Sequence, residues 1–129
     1  MENHLYHYRA HVVSVYDGDT CTADFDLGLY SIRRKQILRL ARINAPEIRG
    51  REHDAGIRAR DALRRLILDK DVIVRTLKDR KGKYGRWIAE IWVKQEDGSY
   101  LNVNDWMLEN GYAEPYDPRS RRRRGGNGR

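Results

Sequence analysis

The stretch QILRLARINAPEIRGREHDAGIRARDALRRLILDK, Gln36 to Lys70, changes its hydrophobic period halfway along. From Gln36 to Ile43 it reads as a strand. Leu38 and Leu40 fall on one face and Arg39 and Ala41 on the other, because successive strand side chains alternate sides. Pro46 closes that segment. From residue 53 to 70 the spacing becomes three and four. Ala59, Ala62, Leu63, Leu66 and Ile67 form an apolar stripe, with Arg58, Arg60, Asp61, Arg64 and Arg65 largely on the wet side of an amphipathic helix.

Working outward, Val12 to Tyr16 is apolar and β-branched and breaks at Asp17-Gly18-Asp19. Thr20 to Leu27 alternates loosely through Cys21, Ala23, Phe25 and Leu27 and stops at Gly28, as a strand before a turn does. Beyond the helix, Asp71–Leu77 and Trp87–Val93 read as strands. Asp97-Gly98 within Lys94–Ser99 suits a hairpin turn, with Tyr100–Val103 returning. A short helix follows, for which Asn104 is the expected cap, Val103 and Leu108 the expected staple, and Gly111 the left-handed end. This is a mainly β chain with α elements (α+β). It suggests a small closed or partly closed barrel, such as the five-stranded oligonucleotide-binding type, with one longer helix and one short C-terminal helix. Periodicity alone does not close the barrel.

The 129 residues suit one domain, expected over residues 1–118, and 35% of them are charged. No apolar run approaches the roughly 20 residues of a membrane span, and Met1–Tyr8 lacks a signal-peptide core. With Cys21 the one cysteine, a reducing cytoplasm is the expected compartment; an intracellular or phage-encoded origin fits the short, arginine-rich format. Formal net charge is +7, yet residues 119–129 carry six arginines and no acid, which leaves +7 − 6 = +1 elsewhere. That stretch is expected to be disordered. It is either a solvated end or a non-specific arm that attracts a phosphate backbone. The basic run Arg33-Arg34-Lys35 is equally open, as a solvated hairpin tip or a substrate-facing rim. Cys21 reads as a quiet core thiol, and His4, His7 and His11 as surface histidines.

Three stretches remain: Asp17-Gly18-Asp19-Thr20, Arg39 through Asn44-Ala45-Pro46-Glu47, and Lys83-Tyr84-Gly85-Arg86. Singly they read as an acidic turn, an edge strand with a Pro turn, and a basic turn. In this order, with a helix between the second and third, they resemble the staphylococcal nuclease (thermonuclease) family, from about Val12 to Ala113. The resemblance implies a calcium-dependent phosphodiesterase, with another divalent cation as an alternative. It would act on DNA and RNA, preferably single-stranded, with no membrane association and no obligate protein partner.

By the same resemblance Asp19, the Asn44 side chain and the Ala45 carbonyl would hold the ion. Glu47 would be the general base, and Arg39 and Arg86 would clamp the phosphate. Lys83, Tyr84 and Tyr116 would meet the nucleotide. Arg39, Glu47 and Arg86 are expected to line an accessible cleft. The residue types suit the chemistry: hard oxygen ligands for a dication, forked guanidinium groups for non-bridging oxygens, and a carboxylate to take a proton from water. Asn44 and Ala45 depart from the family's usual aspartate and threonine, which weakens the charge on the ion site. A non-catalytic nucleic-acid-binding module of the same fold is the alternative function.

Overall fold

Alternation builds the first hairpin. In the computed structural model, which describes residues 7–81 and 85–116, β1 (His7–Asp17) and β2 (Thr20–Asp26) run antiparallel. Ala10, Val12, Val15, Cys21, Ala23 and Phe25 turn inward. The inward spacing of Val12 and Val15 breaks the period of two because the register shifts between Val12 and Ser14, the signature of a bulge. β3 (Ile32–Leu40) pairs with β2, while β5 (Asp71–Lys81) pairs with the other edge of β1 and with β6 (Arg86–Lys94). A parallel pairing of β3 with β6, from Ile37 opposite Arg86 to Leu40 opposite Ala89, closes the five strands into a barrel. The expected architecture is therefore present, including its closure.

The barrel interior is apolar, with Leu38, Leu40, Val74 and Ile91 fully buried. Each such side chain contributes about 1.5–3 kcal/mol over an exposed one. α1 (His53–Ile67) packs against β1 and buries Ala59, Ala62, Leu63 and Ile67, four residues of the expected stripe. It ends three residues earlier than expected, because Leu68 is already extended and Asp69 takes a left-handed φ of 64°. No helix among the described residues is long and apolar enough to cross a membrane.

Two local expectations fail. The strand read from Gln36 to Ile43 instead starts at Ile32 and stops at Leu40, and Ile43–Asn44 forms a separate short β4. Arg42 interrupts them with a φ of 70°, a conformation uncommon for a side chain with a Cβ. Its guanidinium holds it there through Nη2 to Glu90 Oε1 (2.9 Å) and Asp105 Oδ1 (2.8 Å). Pairing with Glu90 raises an already high arginine pKa further. The second failure is the cap of α2 (Val103–Glu109), which follows the short β7 (Tyr100–Asn102). Asn102, not Asn104, caps it, accepting from Asp105 N at 2.9 Å.

Asn104 is completely buried. Its Oδ1 accepts from Ile91 N (3.1 Å), and its Nδ2 donates to the carbonyls of Ala41 (2.9 Å) and Ala89 (3.0 Å). It thereby ties the turn after β3 to β6 and α2. Gly111 does take the left-handed conformation expected after α2, with φ 78°. The chain then returns as β8 (Glu114–Pro115), antiparallel to β4, which carries Tyr116 back towards β3.

Candidate active site

The tight turn from β1 to β2 presents Asp17 and Asp19. Gly18 makes this approach possible: a Cβ there would stand 2.7 Å from the Cβ atoms of both Ala45 and Ala59. The turn is thus wedged between the β4 loop and α1. Asp19 is nearly covered. Its Oδ2 accepts from Ala45 N (2.8 Å), its Oδ1 accepts from the Thr20 hydroxyl (3.1 Å), and its N–H donates to Asp17 Oδ1 (3.1 Å). Burial and the neighbouring Asp19 charge push the Asp17 carboxyl up to about 7.

Arg39 leaves β3 on the face opposite Leu38 and Leu40, as alternation required. It is less open than expected, with a side chain only 14% exposed. Its Nη1 donates to the carbonyls of Leu40 (2.8 Å) and Ile43 (2.9 Å) and stands 3.5 Å from Asp19 Oδ2. Its Nη2 lies 3.4 Å from Asn44 Oδ1, and its Cζ lies 5.4 Å from the centroid of the Tyr116 ring. Hydrogen bonds from Arg39 to the carbonyls after its own strand fix the guanidinium, while its contacts to Asp19 and Asn44 are long and weak.

Glu47 is exposed at the cleft rim and its N–H donates to Glu52 Oε1 (3.0 Å). The loop that carries it rests on α1 at Gly56, where a Cβ would lie 2.0 Å from the Glu47 carbonyl oxygen. A glycine inside a helix is costly, and its value here is that close approach. Arg86, half-buried, reaches the same place through the β3–β6 pairing. Together Asp17, Asp19, Arg39, Asn44, Glu47 and Arg86 line one cleft of about 550 Å3, with Ala45 and Tyr116 also in its wall. Lys83 and Tyr84 fall outside the described residues, as does the arginine-rich stretch 119–129.

Residues 37–126 match the family described as staphylococcal nuclease homologue. The chain belongs to that family. It is also 28% identical over 131 aligned positions to an uncharacterized protein of Methanocaldococcus jannaschii, an alignment that covers 85% of this chain. The chain spans 60% of the length of that relative. The family match begins within β3 and so leaves out the Asp17–Thr20 turn, which the barrel nevertheless brings against Asn44 and Ala45.

Sequence reasoning passed over Asp17, whose signal was the second carboxylate of Asp17-Gly18-Asp19. It also missed the supports: Gly18 and Gly56, the Arg42–Glu90 pair and Asn104. Of these only Gly56, a glycine within a helical pattern, stood out in one dimension. Cys21 behaves as expected: burial pushes its thiol up to about 12, which keeps it protonated and quiet. His11 is bound by Asp71 Oδ1 (2.8 Å) and Asp69 Oδ1 (3.0 Å).

Proposed function

We propose that this family member is a calcium-dependent phosphodiesterase that hydrolyses single-stranded or frayed DNA and RNA with little sequence preference. The observation that carries the reading is the single cleft in which Asp19, Asn44 and Glu47 meet Arg39 and Arg86, drawn from four separate segments. The donors fit a hard dication. Asp17, Asp19 and Asn44 offer side-chain oxygens in one cleft, the hard donor type such an ion takes. Asp19, Asn44 and the Ala45 carbonyl would hold it. When bound, the cation supplies Lewis-acid neutralisation of phosphate charge.

The side chains divide the remaining work. Arg39, anchored by the Leu40 and Ile43 carbonyls, presents its Nη2 edge to a non-bridging phosphate oxygen. The exposed Glu47 carboxylate takes a proton from water as the water oxygen attacks phosphorus. The bond from phosphorus to the 5′ oxygen breaks, its electron pair leaves with that oxygen, and a proton from solvent completes the alcohol. Arg86 offsets the charge that develops on the phosphoryl oxygens and the leaving group. The products are a 3′-phosphate end and a 5′-hydroxyl end.

Heat-denatured DNA incubated with the protein and calcium should be degraded, and excess chelator should stop it. Glu47→Gln should lower the rate about a hundredfold or more, as expected for loss of a catalytic base. Binding of the strand without any hydrolysis at saturating calcium would instead establish the non-catalytic binding module.

A further inference from the structure

A second groove opens off the cleft. It has a volume of about 510 Å3, lies between the outer face of the β1–β2–β3 sheet and α1, and shares Tyr16, Thr20 and Ile37 with the first cavity. Beyond that shared ridge its walls carry Thr22, Arg60 and Arg64. The strand register makes the two spaces continuous. Thr20 lies opposite Arg39 and Thr22 opposite Ile37, so the floor of the second groove lies about 7 Å further along the same strands.

The chemistry changes across the ridge. The first cavity holds Asp17, Asp19 and Glu47, whereas no acidic residue is among the described residues lining the second. Arg60 and Arg64, placed by helical alternation on the wet side of α1, are half-buried against this groove. Arg64 donates through Nε (3.3 Å) and Nη2 (3.1 Å) to the Val15 carbonyl, and Arg60 is steadied by Asp61 at 3.1 Å. Each guanidinium has five N–H donors, so these bonds fix the planes while leaving donors for a ligand. Tyr16, 54% exposed, stands on the ridge with its ring open to stacking. The larger cavity beside His11 mixes Arg9, Arg34 and Lys94 with Asp24, Asp26 and Asp71, so its cations are offset by acids in a way those of the second groove are not.

We infer that this groove is an extended subsite for the polynucleotide strand running away from the scissile phosphate. Arg60 and Arg64 receive a backbone phosphate, Thr22 lies along the path, and Tyr16 stacks on a base. The inference rests on the phosphodiesterase reading above. It makes the protein an enzyme for oligonucleotides rather than for isolated diesters, because much of the binding lies outside the reacting centre.

A fluorescein-labelled thymidylate dinucleotide, whose one internucleotide phosphate occupies the first cavity, and an oligothymidylate of about sixteen nucleotides, which crosses both spaces, test this by anisotropy in chelator-containing buffer. Tyr16→Ala should weaken binding of the longer strand about fivefold or more, the scale of one lost base–aromatic stack. Arg60→Gln should reduce the slope of log affinity against log salt by about 0.7, one single-strand phosphate contact, and Arg60→Lys should restore it. The dinucleotide, which brings no phosphate to the second groove, should be bound by Arg60→Gln within about twofold of the parent protein. Equal losses on both lengths, or none on either, would overturn the subsite while leaving cleavage by the parent protein untouched. Failure of the parent protein to cleave or bind either strand would overturn the phosphodiesterase reading and the subsite with it.

Discussion

Replacing Asn104 with leucine keeps the branched shape but removes every polar atom of the side chain. Three backbone groups lose a partner in the protein interior: Ile91 N–H and the carbonyls of Ala41 and Ala89. The Ala89 carbonyl keeps a bond from Ala41 N at 2.8 Å, so its loss is partial. The other two are left short of a partner at a site with no solvent exposure. A buried unsatisfied backbone group costs about 1–3 kcal/mol, which gives roughly 2–6 kcal/mol for the pair. Leucine's extra apolar surface offsets little of this, because the pocket is shaped for an amide and overpacking opposes it. Against a total stability of about 5–15 kcal/mol the loss is large. Urea unfolding followed by tryptophan fluorescence should show a much lower midpoint with an unchanged slope, and Tm should fall by about 10 °C or more. The Ala41 carbonyl lies in the turn that leads to Asn44, so turnover at temperatures where the variant remains folded should fall as well. A loss below about 1 kcal/mol would refute the argument, since it would mean that water or a shifted backbone satisfies those groups at almost no cost.

Gly56→Ala would raise helix propensity at an ordinary position, but here the new methyl would meet the backbone of Glu47 and Ile48. Thermal melting should show destabilisation of about 1–3 kcal/mol, with a fall in turnover as the Glu47 loop shifts; a raised Tm would contradict the packing. Asn44→Asp should tighten calcium binding by about three- to tenfold in calorimetric titration, because ligand charge count is one determinant of calcium affinity. Weaker or equal affinity would mean that Asn44 does not serve the ion. His11 has a raised pKa, chiefly through its hydrogen bond to Asp71 and then that to Asp69. Its stabilising contribution is therefore complete below the unfolded value near 6.5 and is lost as pH rises through the folded one. Stability measured between about pH 6 and 8 should fall less steeply in His11→Gln than in the parent protein.

Much of the architecture was legible because it is written locally. The inward residues Cys21, Ala23, Phe25, Leu38 and Leu40 and the α1 stripe follow from periods of two and between three and four, and all are buried except Leu66, which is half-buried. What could not be read was long-range. The parallel closure of β3 on β6 joins segments whose strand patterns look the same whichever neighbour they take. The break at Arg42 depends on Glu90 and Asp105, distant in sequence. Asn104 was misread because an asparagine near a helix start serves as a cap far more simply than as a buried three-way anchor, and Asn102 was available two residues earlier. At the site, motif order brought Asp19, Arg39, Asn44, Glu47 and Arg86 forward together, and the fold places all five in one cleft. The amount of cover on Arg39 depends on its carbonyl partners and on Tyr116, which only the folded chain brings near.

The β3–β6 seam also has a consequence for the order of events during synthesis. Arg39 and Arg86 are 86 − 39 = 47 positions apart, so a ribosome adding about 5–20 residues per second makes the second roughly 2–9 s after the first. Tyr116 follows later still. During that interval the nascent chain carries the acidic turn and Arg39, but neither Arg86 nor a closed cleft. On the phosphodiesterase reading proposed above, the growing chain lacks the means to cut a strand until that pairing forms. Closure of the barrel by that seam is the step that assembles the cleft.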